Sequence, residues 1–169
     1  TQVLSLDDAV DRLAAGDDLS GCVVVTFDDG TVDFVDEALP VLERHRVPAT
    51  LYVATQHVED RIDFPDDGRV ISWQALDDAR STGLVTIGSH THGHVLLDRL
   101  DAATAADDLD RSIDLIGQRL GCVADHFAYP KALAASDAVE PLVRDRFRSA
   151  AIAGTRPNPV GTDVHRLTR

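Results

Sequence analysis

Methionine is absent from the 169-residue sequence, lysine occurs once, at Lys131, and aromatic side chains make up only 5% of it. A chain that starts at Thr1 without methionine reads as processed, trimmed or a fragment, and a removed leader is compatible with it. Aliphatic residues are plentiful, as in an ordinary soluble α/β protein. No apolar run reaches membrane-spanning length and no basic-then-apolar leader opens the chain, so no membrane span is expected. Basic residues are scarce: 16 Lys plus Arg stand against 29 Asp plus Glu, a formal charge of −13. Nucleic-acid binding needs a basic footprint, and this balance argues against it and against anionic membranes. The two cysteines, Cys22 and Cys122, each follow a glycine at the edge of an apolar segment. Neither has zinc-knuckle spacing. They read as buried free thiols, with a disulfide the alternative that spacing alone does not decide. No repeat, linker or low-complexity run interrupts the sequence, and its length suits one domain spanning residues 1–169 with a sizeable core.

What is present alternates between strand and helix patterns. SLDDAVDRLAAG carries Ser5 as N-cap, Asp8 at the capping-box position and Gly16 as stop. CVVVTF is a continuous apolar strand. DFVDEALPVLERH reads as a helix bent or restarted near Pro40. ATLYVAT is a second strand, SWQALDDARSTG a helix capped by Ser72 and closed by Gly83, and LVTIGSH a third strand. The longest helix ends at Gly121; DHFAYP, DAVEPLVRDRF and SAAIAG then read as strand, helix and strand. EDRIDFPDDGR is a surface excursion, and the tail from Thr155 is mostly loop. Such alternation predicts a parallel sheet with outer helices and all strand C-terminal ends on one rim.

Three polar clusters fall on that rim: Asp28 and Asp29 after the first of these strands, Ser89 to His94 after the third, and Tyr129, Pro130 and Lys131 after the fourth. SHTHGH places His90 and His94 four apart, a spacing that lets two imidazoles converge. With one carboxylate they make a His, His, Asp set, and zinc sites of that kind keep a position open for water. The metal lowers the pKa of that water and polarises a carbonyl, and a second carboxylate can take the proton. Two adjacent acids at one strand end then have two tasks. Taken singly, Asp-Asp-Gly is a turn and two histidines four apart in a Gly-containing loop are solvent-facing polar residues; their coincidence on one rim argues for a site. His92 points away if its neighbours converge, which makes it a substrate-side or structural residue. His45, His57 and His126 lack partner spacing and read as structural, and Trp73 as packing rather than a sugar platform.

TFDDG and SHTHGH, in this order and separation, resemble the first two motifs of the polysaccharide deacetylases, the NodB-homology or carbohydrate esterase family 4 group. HFAYPKA resembles their third motif and VHRLTR the segment closing the shorter members, so the likeness covers almost the whole chain. The resemblance implies a distorted, incomplete (β/α) barrel of parallel strands and outer helices. It implies metal-dependent hydrolysis of N-acetyl (or O-acetyl) groups on a sugar polymer, with metal-bound water as nucleophile. Asp28 stands where the family has its general base; Asp29, His90 and His94 stand where it has ligands for zinc, or in some members cobalt, manganese or iron. The backbone N–H of Lys131 stands at the oxyanion position, with Tyr129, Pro130 and His92 on the substrate side. Many relatives act outside the cytoplasm.

The sequence departs from the pattern in three places. Ala128 replaces the arginine that orients the base in many members, Lys131 replaces an aromatic residue, and Ala132 stands where glycine is common. His165 is the one late candidate for a general acid, in a context, DVHRL, that does not match. Many relatives have a strand before the first helix that is not evident here. A chain lacking strands at both flanks would leave one side of the barrel open unless a second subunit, in a homo-oligomer, covered it. A non-catalytic, metal-containing carbohydrate-binding relative and a hydrolase of a small cyclic or linear amide stay open as alternatives.

Overall fold

The computed structural model describes residues 1–169. The chain runs β1 (Gln2–Leu4), α1 (Leu6–Ala15), β2 (Cys22–Phe27), a π-turn (Phe34–Ala38) leading into α2 (Leu39–His45), β3 (Ala49–Val53), α3 (Thr55–Asp60) and α4 (Trp73–Ser81). It continues with β4 (Val85–Ser89), α5 (Ala102–Leu120), β5 (His126–Ala128), α6 (Glu140–Arg146), β6 (Ser149–Ile152) and β7 (Leu167–Thr168). Sheet order follows chain order and every neighbouring pair is parallel. The seven strands curl into a half-barrel with helices around it, as the sequence led us to expect.

The ends depart from expectation. Gln2–Leu4 pairs with Cys22–Val24, so a strand does precede the first helix, and Leu167–Thr168 pairs with Ala151–Ile152 in what reads as loop. Strands of three and two residues are too short to display alternation. A further helix, α3, takes Thr55 from the end of the second predicted strand. β1 and β7 do not pair with each other. Between them lies a largely apolar cavity of about 800 Å³, lined by Leu4, Val10, Val24, Tyr52 and Leu167, with Arg169 among its polar groups.

Local chemistry sets the helix boundaries. The side chains of Ser5, Ser72 and Asp101 accept hydrogen bonds from the N–H groups of Asp8, Ala75 and Thr104, as N-caps do. Pro40 has no N–H to return to the preceding turn, and that turn widens until the Leu39 N–H reaches the Phe34 carbonyl, five residues back. This is the bend expected near Pro40. Both cysteines are free thiols, and burial raises the pKa of Cys122. No helix is long and apolar enough to cross a membrane.

Alternation along the strands separates two cores. Val25 and Phe27 of β2 face the helices with Leu51, Val53 and Ile87, whereas Val24 faces the barrel interior with Tyr52, Ala128, Ala151 and Leu167. His126 is fully buried, with Nδ1 2.8 Å from the Ser149 hydroxyl and Nε2 3.0 Å from the Asp7 carboxylate, which ties α1 to β5 and β6. It is structural, as expected.

Gly88 sits opposite Tyr52 in the β3–β4 register. A Cβ there would stand 2.6 Å from Tyr52 Cδ1 and 2.7 Å from the His126 carbonyl oxygen. The bare backbone is what lets the Tyr52 ring lie across the interior. Gly88→Ala is therefore expected to lower unfolding free energy by about 1–3 kcal/mol, measured by chemical denaturation; an unchanged midpoint would show that the ring can move aside at no cost.

Candidate metal centre

Strand direction brings the predicted clusters to one rim. Asp28 and Asp29 follow Phe27 of β2, His90 follows Ser89 of β4, and Lys131 lies in the turn after β5. Asp29 is in the left-handed region (φ 72°), a conformation Asp tolerates better than most residues, and Gly30 follows at φ 90°. Two successive carboxylates on an extended strand would point to opposite faces; this turn brings both to one place. Asp29 Oδ1 lies 3.4 Å from His90 Nε2 and 3.3 Å from His94 Nε2, and Asp28 Oδ2 lies 3.9 Å from His90 Nε2. The carbonyls of Asp29 and Gly30 accept from the N–H groups of Ala54 and Ile71, which pins the turn to the end of β3 and the segment before α4.

One ligand atom each from Asp29, His90 and His94 lies within 4.8 Å of the other two. His90 is 1% exposed, and its Nδ1 is 2.7 Å from the Ala128 carbonyl. That carbonyl can only accept, so the proton sits on Nδ1 and Nε2 keeps a free lone pair facing Asp29. The neighbouring imidazoles, His90 and then His94, hold the Asp29 carboxyl well below the usual carboxylate range, against the effect of burial. Asp28 Oδ2 is bound by Arg169, while Asp28 Oδ1 is buried with no hydrogen-bond partner.

The histidine loop is held from two sides. The Asp108 carboxylate on α5 accepts from the His92 N–H at 2.7 Å and the Gly93 N–H at 2.9 Å. At the start of α3, the N–H groups of Thr55 and Gln56 donate to the carbonyls of Thr91 and His92. These bonds constrain a loop in which both Thr91 (φ 65°) and His94 (φ 52°) are left-handed, an unfavourable state for a β-branched residue. His94 is walled by Phe64 and His57, whose rings stack at 4.0 Å and meet His94 edge-on at 5.5 and 5.9 Å. The surface excursion thus returns Phe64 to the site.

Other expected site residues lie elsewhere. His92 turns away: Nδ1 pairs with Thr55 Oγ1 at 3.0 Å and Nε2 accepts from Arg111 Nε at 3.1 Å, so it anchors the loop and offers no free nitrogen to substrate. Burial lowers its pKa, which favours this neutral form. Tyr129 and Pro130 are buried rather than presented to substrate; the Tyr129 ring packs edge-on to Phe127, and burial pushes its hydroxyl up to about 12. His165 is engaged below the sheet, Nε2 lying 2.7 Å from the carbonyl of Phe147, which precedes β6 and so belongs to the opposite rim. It cannot reach the Asp29 centre as a general acid. Lys131 adopts φ 53°, ψ 19° in a turn whose next residue, Ala132, is also left-handed. Asp108 and Arg169 were not singled out from the sequence. An acid seven residues into a helix carries no motif, whereas Arg169 lies two residues beyond inward-facing Leu167 and shares its face.

The fold and rim define a parallel half-barrel bearing a three-ligand candidate metal centre beside a second carboxylate. A family model described as polysaccharide deacetylase matches residues 15–147. The chain belongs to the polysaccharide deacetylase family. It is 28% identical to the poly-β-1,6-N-acetyl-D-glucosamine N-deacetylase of Staphylococcus epidermidis over 155 residues, 87% of this chain and 53% of that one. A protein of the same description from Staphylococcus aureus is 29% identical over 123 residues, 68% of this chain and 42% of that one. The chain thus spans about half the length of these curated relatives. Among solved structures, IcaB from Ammonifex degensii superposes with TM-score 0.88 at 25% identity, over 99% of this chain and 75% of that one. A Streptococcus pyogenes deacetylase in complex with acetate gives 0.86 at 20% identity, over 99% and 72%.

Asp108→Ala removes the acceptor for two loop amides without touching Asp29, His90 or His94. Zinc affinity is expected to fall about 10–100-fold in titration calorimetry, with the fold retained by circular dichroism; unchanged affinity would mean α3 alone holds the loop.

Proposed function

We propose that this chain hydrolyses the acetyl amide of an N-acetylated polysaccharide, releasing acetate, with a divalent cation held by Asp29, His90 and His94. Zinc suits the His, His, Asp donor set, and cobalt, manganese or iron are substitutes with the same ligands. The observation that carries this reading is the convergence of three ligand atoms beside a second carboxylate that keeps one buried oxygen without a partner. The residues fit a cation: one imidazole is fixed by a carbonyl with its other nitrogen aimed inward, and the aspartate is held ionised.

The cation would supply Lewis acidity, acidifying water and polarising the acetyl carbonyl. Asp28 takes a proton from the attacking water as general base. The water oxygen bonds to the acetyl carbon, and the charge on the carbonyl oxygen is met by the Lys131 backbone N–H. As the carbon–nitrogen bond breaks, the proton taken up by Asp28 passes to the departing amine, leaving acetate and a free amino sugar. Because His165 lies on the other rim, Asp28 serves as both acceptor and donor. The name of the curated relatives recommends β-1,6-linked N-acetylglucosamine as first substrate.

Acetate release from oligomers of that sugar, with and without zinc, tests the reading. Asp28→Asn should lower kcat by at least about 100-fold, His90→Ala should abolish one-to-one zinc binding, and His165→Gln should leave turnover unchanged. Sugar binding without turnover would favour a non-catalytic carbohydrate-binding relative; hydrolysis confined to small cyclic or linear amides would move the substrate class.

A further inference from the structure

Ala128 occupies the place where many family members carry an arginine against the base, yet the structure does not leave Asp28 alone. Arg169, following β7 at the far edge of the sheet, donates from Nη2 to Asp28 Oδ2 at 2.5 Å and from Nη1 to Thr26 Oγ1 at 3.3 Å. Its Cζ lies 5.6 Å from the centroid of the Tyr52 ring, within reach of a cation–π contact. Its main chain is tied down too: the Arg169 N–H donates to the Ile152 carbonyl, and the Gly154 N–H donates to the Arg169 carbonyl. An isolated surface ion pair contributes little. This one is partly buried, has a third partner in a hydroxyl and a fourth in a ring, and uses the planar fork of the guanidinium.

The arrangement orients the Asp28 carboxylate. Oδ2 is taken by Arg169, and Oδ1 is buried and unpartnered. Oδ2 is also the oxygen that approaches His90 Nε2, at 3.9 Å, so the Arg169 contact sets how the carboxylate is presented to the ligand set. We propose that Arg169 is the positioning residue of the general base, supplying across the half-barrel the contact that Ala128 cannot make. This rests on the reading of Asp28 as base.

Two measurements test it independently. In the metal-free protein, thermal unfolding of Asp28→Asn, Arg169→Gln and the double variant reports the pair without any turnover. The double variant should lose less Tm than the two single losses combined; additive losses overturn the pairing. In the zinc-loaded protein, Arg169→Ala should lower kcat about 10–100-fold with KM changed by less than about threefold and zinc affinity preserved. Added ethylguanidinium should recover part of the loss, and Arg169→Lys should fall between, because a point ammonium lacks the planar fork whose separate nitrogens reach Thr26 and Asp28. In an Asp28→Asn background, Arg169→Ala should cost nothing further. A folded Arg169→Ala or Arg169→Lys variant with wild-type kcat overturns the positioning role. Coupled Tm losses in a chain whose wild type releases no acetate would instead overturn the proposed function, and with it a catalytic role for the pair.

Discussion

The contact between Gly88 and the Tyr52 ring is the packing constraint on which the site rests. A side chain at position 88 would occupy the space the ring fills. Tyr52, laid across the interior in this way, presents its face to Arg169, and Arg169 in turn holds Asp28. A missing side chain inside the sheet is thus linked, through one ring and one guanidinium, to the orientation of a carboxylate on the rim. The order of strands makes this chain of contacts reachable: β2, β3 and β4 are neighbours, and curling of the sheet brings β7 across to them.

The histidine side of the site follows a different principle. Its residues lie on a loop with left-handed Thr91 and His94, conformations that isolated chains disfavour. The loop keeps them because its backbone polar groups are matched on both sides, carbonyls to the start of α3 and amides to Asp108. His92, lying between His90 and His94, contributes by bonding outward to Thr55 and Arg111. The middle histidine of the motif holds the outer two in register.

Much of this was legible from residue order. Apolar runs ending in carboxylates or histidines identify strand ends, and parallel topology then puts Asp28, Asp29, His90 and His94 together before any distance is known. Serine caps and glycine stops bounded α1 and α4 for local reasons that tertiary packing did not disturb. The short edge strands were not legible, because two or three residues carry no period. Nor were Tyr129 and His165 read correctly: a motif locates a backbone, but whether its side chain faces the rim or the core depends on partners such as Phe127 and the Phe147 carbonyl, which sequence spacing does not reveal. Arg169 went unseen for a related reason. Its face follows from Leu167 only once that segment is known to be a strand.

β7 has a further consequence. It has two residues, and its outer edge is closed by a side chain, with the Asn158 amide bonding both the N–H and the carbonyl of Thr168. Edge segments this short open locally at far lower free energy than the whole fold. Each such opening would carry Arg169 away from Asp28 while leaving β2, β4 and the histidine loop in place. On warming, this one clasp would then fray below the temperature at which the sheet melts, and reversibly so.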